Sequence, residues 1–286
     1  MQPYYRRNNV TLYNANCHDI LPLLETSSIG ACVTDPPYMT TDLHFDKDGV
    51  SMRWIKDLIR IVNGNGYLAL FAPVEMQAEI AKIWSMRFSG AWVKEKGGPR
   101  TASAKKPKNQ WELYCVFAHP NHKISSLAWN KICLPGKPYR KIQHNSGHRR
   151  GGKDQLDRAS TSAWTEEGYI ASNDGTREQT DVIYAPMKGG MKHNERTSHP
   201  TQKPLKCMST LVRWLTNPND FVLDPFVGSG TTAIACIRQG RKFIGIEVNQ
   251  DYINMAIERI DRELSQPKLL TTTEMTTSQS EQKALF

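Results

Sequence analysis

Phe221-Val222-Leu223-Asp224-Pro225-Phe226-Val227-Gly228-Ser229-Gly230-Thr231-Thr232 decides how this chain folds. The first four residues are an apolar run closed by an acid, which reads as a buried strand. Two glycines spaced by one residue follow, giving a turn whose backbone lets a ligand come close. Thr231 to Gln239 reads as a helix that Gly240 ends. A strand, a glycine turn and a helix N-terminus form a nucleotide-type crevice, because the first N–H groups of a helix have no partner within it. Phe243-Ile244-Gly245-Ile246-Glu247 is the next strand, and Glu247 stands 19 residues after Gly228. That position suits a carboxylate bonding two ribose hydroxyls. Gly228-Ser229-Gly230-Thr231-Thr232-Ala233 also satisfies the G-x-G-x-x-A pattern, so this half alone leaves NAD open as the cofactor.

The first half repeats the arrangement with different chemistry. Val10-Thr11-Leu12-Tyr13 reads as a strand, and Ile29-Gly30-Ala31-Cys32-Val33-Thr34 as a second, buried one. The second delivers Asp35-Pro36-Pro37-Tyr38 to the carboxyl end of the sheet, where open α/β folds bind their ligands. The carboxylate accepts hydrogen bonds, the prolines fix the backbone, and the tyrosine offers a stacking face. Ser51 to Val62 has helical spacing ended by Asn63-Gly64-Asn65-Gly66, and Tyr67–Phe71 is a strand. Pro73 opens a helix over Val74 to Met86, and Ala91–Val93 and Leu113–Phe117 are two further strands. Alternating strands and helices predict a parallel-type α/β sheet. The pattern stops at His119-Pro120 and resumes near His199 with a helix over Pro204 to Leu215; Tyr252 to Leu264 is the last helix. The division expected is a first core half at 1–120, a polar, loop-rich insert at 121–192, a second core half at 193–265, and a disordered Thr/Ser/Gln-rich tail at 266–286.

Charge points to a polyanion. The net charge is +9, and between Lys94 and Lys153 fourteen lysines and arginines stand against Glu95 and Glu112 alone. A basic segment of this kind, with interspersed tryptophan, tyrosine and histidine, fits nucleic acid. Arg140, Lys141, Arg149, Arg150 and Lys153 are the candidate phosphate contacts, with Gln143, His144 and Asn145 nearby for base edges. The sequence has no stretch long enough to span a membrane and no apolar run at its start for secretion. Six scattered cysteines without a CxxC pair suggest reduced thiols in a cytosol. No metal is expected: Asp42, Asp46 and Asp48 lack the rest of a calcium loop, and Cys115, His119, His122, Cys133, His144 and His148 fit no zinc spacing.

Asp-Pro-Pro-Tyr after one strand and Asp-Pro-Phe-x-Gly-x-Gly-Thr-Thr after another together resemble the amino-methyltransferases of DNA. The order is the permuted one of the β-class: catalytic tetrapeptide, target-recognition insert, cofactor glycines. His199-Pro200-Thr201-Gln202-Lys203-Pro204 and Gly245-Ile246-Glu247 extend the resemblance over nearly everything outside the insert and tail. It implies a Rossmann-like S-adenosylmethionine methyltransferase fold and a cytoplasmic enzyme acting on double-stranded DNA, with a dimer suggested. It also implies catalysis by Asp35, Pro36, Pro37 and Tyr38 on a flipped-out base. The cofactor pocket would be lined by Asn16, Asp19, Asp35, His199, Thr201, Lys203, Asp224, Phe226, Gly228, Gly230, Thr231, Thr232 and Glu247, with His199 and Lys203 near the methionine end. Family members often carry aspartate where Asn16 stands; an amide oxygen still accepts a hydrogen bond from an adenine amine, and Asp19 is a substitute.

No cysteine follows a proline, which argues against carbon-5 methylation of cytosine. Aspartate at position 35 leans the resemblance toward adenine N6, with cytosine N4, an RNA amine, or a non-catalytic DNA-binding protein as alternatives. The tail ends Gln282-Lys283-Ala284-Leu285-Phe286, which resembles peptides that dock in the bacterial sliding clamp through glutamine and a Leu-Phe anchor.

Overall fold

A computed structural model describes residues 2–37, 52–95, 109–135, 139–143, 161–165, 168–173 and 176–266; at 135, 139–143, 161–165, 168–173 and 176 it describes the backbone alone. The first half contributes β1 (Tyr5–Arg7), β2 (Val10–Asn14), α1 (Cys17–Ile20), β3 (Ile29–Thr34), α2 (Arg53–Ile61), β4 (Val62–Phe71), α3 (Val74–Ala81), β5 (Ser85–Lys94) and β6 (Trp111–Ala118). Then come β7 (Cys133–Pro135), β8 (Tyr139–Gln143), β9 (Thr161–Thr165), β10 (Gly168–Asn173), β11 (Thr176–Glu178) and β12 (Val182–Ala185). The last part holds α4 (Leu205–Leu215), β13 (Phe221–Asp224), α5 (Thr231–Arg238), β14 (Lys242–Glu247) and α6 (Gln250–Leu264).

Nine strands make one sheet in the order β1-β2-β14-β13-β3-β4-β6-β5-β12. From β2 to β4 every neighbouring pair is parallel. Alternation along the strands feeds two cores. Ala31 and Val33 face the helices α4, α5 and α6 with Leu211, Trp214, Ala233 and Ile260. Cys32 faces the other way, with Leu68, Leu70 and the α2 residues Trp54, Ile55 and Leu58. Helices on both faces of a largely parallel sheet make this a Rossmann-like α/β fold. Among the described residues no helix is long and apolar enough to cross a membrane.

Several boundaries depart from the periodicity. The chain leaves α2 directly into β4, because Val62 is already extended (φ −75°, ψ 133°), so 63–66 belongs to a strand and not to a turn. The helix after Pro73 ends at Ala81, and Ser85 and Met86 already pair with Ala118 and Phe117. β6 runs antiparallel to both its neighbours, so the parallel-type pattern holds from β2 to β4 and gives way there to a mixed sheet. β5 and β6 are successive in sequence and lie side by side, a connection that needs no crossover helix.

The 121–192 segment carries more order than its polarity suggested. β8, β10 and β9 form a three-stranded antiparallel sheet, and β7 pairs with β11. Its strand β12 joins the main sheet, parallel to β5, with Val182 opposite Ala91 and Ala185 opposite Lys94. Four residues are too few to show a period, and Tyr184 on this strand is exposed while Ile183 is buried.

Candidate active site

The two halves meet because β13 and β3 are hydrogen-bonded neighbours, with Val222 opposite Ala31 and Leu223 opposite Cys32. Their carboxyl ends therefore place Asp224 beside Thr34 and Asp35. Asp224 is buried, and its oxygens are taken by the chain itself. Thr34 Oγ1 donates to Oδ1 at 2.6 Å, Thr232 Oγ1 donates to Oδ2 at 2.7 Å, and the Phe226 N–H donates to Oδ1 at 3.1 Å. Burial pushes its carboxyl up to about 6, against the pull of those three donors. The carboxylate thus ties the strand that ends in Asp35 to the turn that opens α5.

That turn needs its glycines. Gly228 and Gly230 have φ of +50° and +78°, where a side chain is strained. A Cβ on Gly228 would also stand 3.1 Å from His199 Nε2, so the site has a close-packed wall there. Glu247, at the end of β14, accepts the Gly228 N–H at 2.8 Å through Oε2 and the Asn249 N–H at 2.9 Å through Oε1. Each oxygen keeps a lone pair for a ligand hydroxyl. Burial raises its carboxyl, with these N–H groups acting the other way. The Phe226 ring meets Trp54 edge-on at 5.2 Å.

Asp35 lies beyond the last residue of β3 and Pro36 behind it is buried. Lys203 Nζ donates to Asp35 Oδ2 at 2.5 Å, while Oδ1 is buried and takes no hydrogen bond from the described residues. Burial pushes the Asp35 carboxyl up to about 6; Lys203 opposes that shift, and Glu112 and Asp224 add to it. Lys203 is aimed by its own loop. Gln202 accepts from the Thr197 N–H and hydroxyl, both at 2.8 Å, and donates to the Glu195 carbonyl, while Glu195 accepts the Leu205 N–H at 2.7 Å. Proline 204 then starts α4.

The sequence matches the N6/N4 methyltransferase family, described as DNA methylase, over residues 29–258. The chain belongs to this family. The methylase is 29% identical over 266 residues to the Type II methyltransferase M.HpaI of Haemophilus parainfluenzae, covering 88% of this chain and 74% of that relative. It is 50% identical over 68 residues to the DNA adenine methyltransferase YhdJ of Escherichia coli K12, covering 24% of this chain and 23% of the relative. A solved complex of M1.HpyAVI with SAM shares its fold at a TM-score of 0.58 and 25% identity, over 88% of this chain and 99% of that one.

The other residues singled out in the methylase fall at distinct places. Asn16 is exposed and caps α1, its Oδ1 accepting the His18 N–H at 3.0 Å; Asp19 is exposed in the same short helix. His199 is buried with its ring 4.4 Å from Tyr252, and burial lowers its imidazole to about 4, with Lys188, Lys203 and Arg259 adding to the effect. It is therefore neutral at physiological pH. Thr201 is half-buried on the same loop. Lys203, expected near the cofactor's methionine end, makes its short contact with Asp35. Arg140 and Lys141 lie in β8, where the backbone alone is described. Tyr38, Arg149, Arg150, Lys153, Gln282, Leu285 and Phe286 lie outside the described residues.

Two charged residues at the site escaped sequence reasoning. Arg259 on α6 is buried; it donates to the Ser229 carbonyl and, at 3.2 Å, to Thr231 Oγ1, so it clamps the glycine turn from behind. Burial brings its guanidinium down to about 10. Its signal was a charge set among Ile253, Ala256 and Ile260, the buried face of that helix. Glu112 heads β6 and lies 3.4 Å from Lys203 through Oε2. Its signal was an acid at the head of an apolar strand inside the basic segment.

Proposed function

We propose that this DNA methylase transfers a methyl group from S-adenosylmethionine to the N6 amine of an adenine flipped out of double-stranded DNA. The observation that carries the reading is the Asp35 carboxylate: pinned at Oδ2 by Lys203, without a hydrogen bond at Oδ1 among the described residues, and anchored through Thr34 and Asp224 to the glycine turn. The adenine preference draws support from the likeness to a DNA adenine methyltransferase.

The residues present fit the cofactor. Glu247 offers two buried acceptors for the ribose hydroxyls, and Gly228 and Gly230 give the turn beside it the positive φ and close packing that a side chain would break. Phe226 would flank the cofactor, Asn16 and Asp19 would meet its adenine, His199 and Lys203 would stand near its methionine end, and Thr201 would line the same pocket. Asp224, Thr231 and Thr232 act from behind, holding the turn. When bound, S-adenosylmethionine supplies a methyl group made electrophilic by its sulfonium. Asp35 Oδ1 and the Pro36 carbonyl accept hydrogen bonds from the target amine, localising its lone pair and aiming it. The amine's surplus proton leaves to Asp35, whose carboxyl near 6 suits both accepting a proton and releasing it to water. Tyr38 stacks on the extruded base, worth about 1–3 kcal/mol.

Arg140, Lys141, Arg149, Arg150 and Lys153 carry the phosphate contacts of the 121–192 segment. The enzyme works in the cytoplasm, as a homodimer, and Gln282, Leu285 and Phe286 tether it to the sliding clamp. The test is incubation with unmethylated DNA and S-adenosylmethionine, followed by nucleoside mass spectrometry. N6-methyladenine is the expected product, lost in Asp35→Ala while cofactor binding persists. N4-methylcytosine would keep the mechanism and change the base. No product on DNA, with methylation of RNA instead, would overturn the substrate.

A further inference from the structure

Behind Asp35 stands a row of four charges of alternating sign. Lys203 Nζ lies 2.5 Å from Asp35 Oδ2 and 3.4 Å from Glu112 Oε2; Lys94 Nζ lies 2.6 Å from Glu112 Oε1. The four residues come from the ends of β3, β6 and β5 and from the loop before α4, so only the folded sheet brings them together. The lysine side chains are 7% and 8% exposed, Asp35 21% and Glu112 27%. Phe71 and Trp92 hold the ammonium groups at 5.2 and 5.4 Å from their ring centres. The formal charges of the row cancel, which offsets the cost of burying the two ammonium groups beside half-buried carboxylates.

A carboxylate that must accept a hydrogen bond from a substrate amine gains nothing from a cation that fully satisfies it. An undivided Lys203 would hold Asp35 ionised but would also drain its acceptor strength. Without Lys203, burial would protonate it. Glu112 stands where it divides the cation.

We propose that Glu112, anchored by Lys94, is a positioning residue for methyl transfer: it shares the Lys203 ammonium with Asp35, so that Asp35 meets the target amine as a half-compensated carboxylate. The proposal rests on the reading of Asp35 as the amine acceptor. It makes Glu112 and Lys94, the two members of the row beyond Lys203, act in opposite directions. Removing the Glu112 charge takes away the carboxylate that competes with Asp35 for Lys203 and eases proton loss from Asp35. Removing the Lys94 charge turns Lys203 toward Glu112 and makes Asp35 hold its proton to higher pH. Among the described residues, the charged groups facing Asp35 are Lys203 from the loop before α4, Glu112 from β6 and Asp224 from β13. Burial pushes Glu112 up, but Lys203 and Lys94 together bring it below its ordinary value, so it is charged throughout the range where Asp35 titrates.

The experiment measures single-turnover methylation against pH at saturating DNA and S-adenosylmethionine, for the wild type, Glu112→Gln and Lys94→Met, with Asp35→Asn as control. The wild-type rate is expected to fall about tenfold per pH unit below a limb near 6. In Glu112→Gln the limb moves to lower pH and the plateau rate drops several-fold; in Lys94→Met it moves to higher pH. Cofactor affinity, read by calorimetry, stays within twofold in both. A purely structural role would lower rates or thermal stability without displacing the limb in opposite directions. Limbs that coincide in all three enzymes, while Asp35→Asn is inactive, would overturn the proposal and leave the reading of Asp35 standing. An active Asp35→Asn would instead remove the reading on which it rests. If Glu112→Gln fails to fold, the upward shift in Lys94→Met decides alone.

Discussion

Replacing Asp224 separates two roles that one buried carboxylate combines. In Asp224→Ala three donors lose their acceptor: Thr34 Oγ1, Thr232 Oγ1 and the Phe226 N–H. Thr34 and Thr232 are 0% and 2% exposed, so solvent does not rescue them. At about 1–3 kcal/mol per orphaned buried group, the loss is about 3–9 kcal/mol, before any relief from removing the charge. Relief is substantial: a carboxyl raised from 3.8 to about 6 costs the folded state about 3 kcal/mol when ionised. Asp224→Asn collects that relief and keeps the bonds. Its oxygen accepts from Thr34 and Phe226, and its amide donates to the Thr232 hydroxyl, which accepts as readily as it donates.

The sign follows from linkage. The folded carboxyl titrates above the unfolded one, so protonation favours folding, and stability falls as pH rises from 3.8 through 6. Relative to the wild type, Asp224→Asn therefore gains about 1.4 kcal/mol between pH 5 and pH 8. Urea unfolding followed by tryptophan fluorescence at both pH values measures this, provided the urea dependence of the free energy is unchanged. Equal losses in Asp224→Ala and Asp224→Asn at pH 8 would refute the reasoning, as would a wild-type-to-Asn difference that ignores pH.

Gly228→Ala combines a residue at φ +50° with a methyl group 3.1 Å from His199 Nε2. It costs about 1–2 kcal/mol in thermal unfolding, and cofactor affinity by calorimetry falls tenfold or more. Deleting 282–286 abolishes pull-down by purified sliding clamp and leaves methylation of short oligonucleotides unchanged; no capture of the intact protein would end the tether hypothesis.

What could be read from the sequence was contiguous. Asp35 after its strand, the glycine turn after Leu223-Asp224 and Glu247 after Ile246 each carry their context within a dozen residues, and strand ends place them at one edge. The fold followed, because alternating strand and helix patterns leave few topologies. What stayed hidden was pairing across distance. Lys203 reaches Asp35 from 168 residues away, and Glu112 joins them from a strand whose antiparallel direction no local pattern announces. Arg259 was submerged in an apolar helix face, and β12 was too short to register.

That short strand bears on how such enzymes diversify. The chain leaves the sheet after Ala118 and re-enters it at Val182, two places that both belong to the same end of the sheet. If that stretch reads DNA as proposed, exchanging it for a reader of another DNA word leaves Asp35, Asp224 and Glu247 on strands outside it. The seam is unequal, however. Ala185 pairs with Lys94, the outermost member of the charge row behind Asp35. A graft that imported its own version of residues 182–185 would disturb the strand that carries Lys94, and with it the Lys94–Glu112 ion pair beside Lys203. Recombination that swaps specificity is therefore constrained to rejoin ahead of Val182 and to spare the stretch just after Ala118, where Tyr67 donates to the Ala128 carbonyl and Trp129 stacks on Trp214.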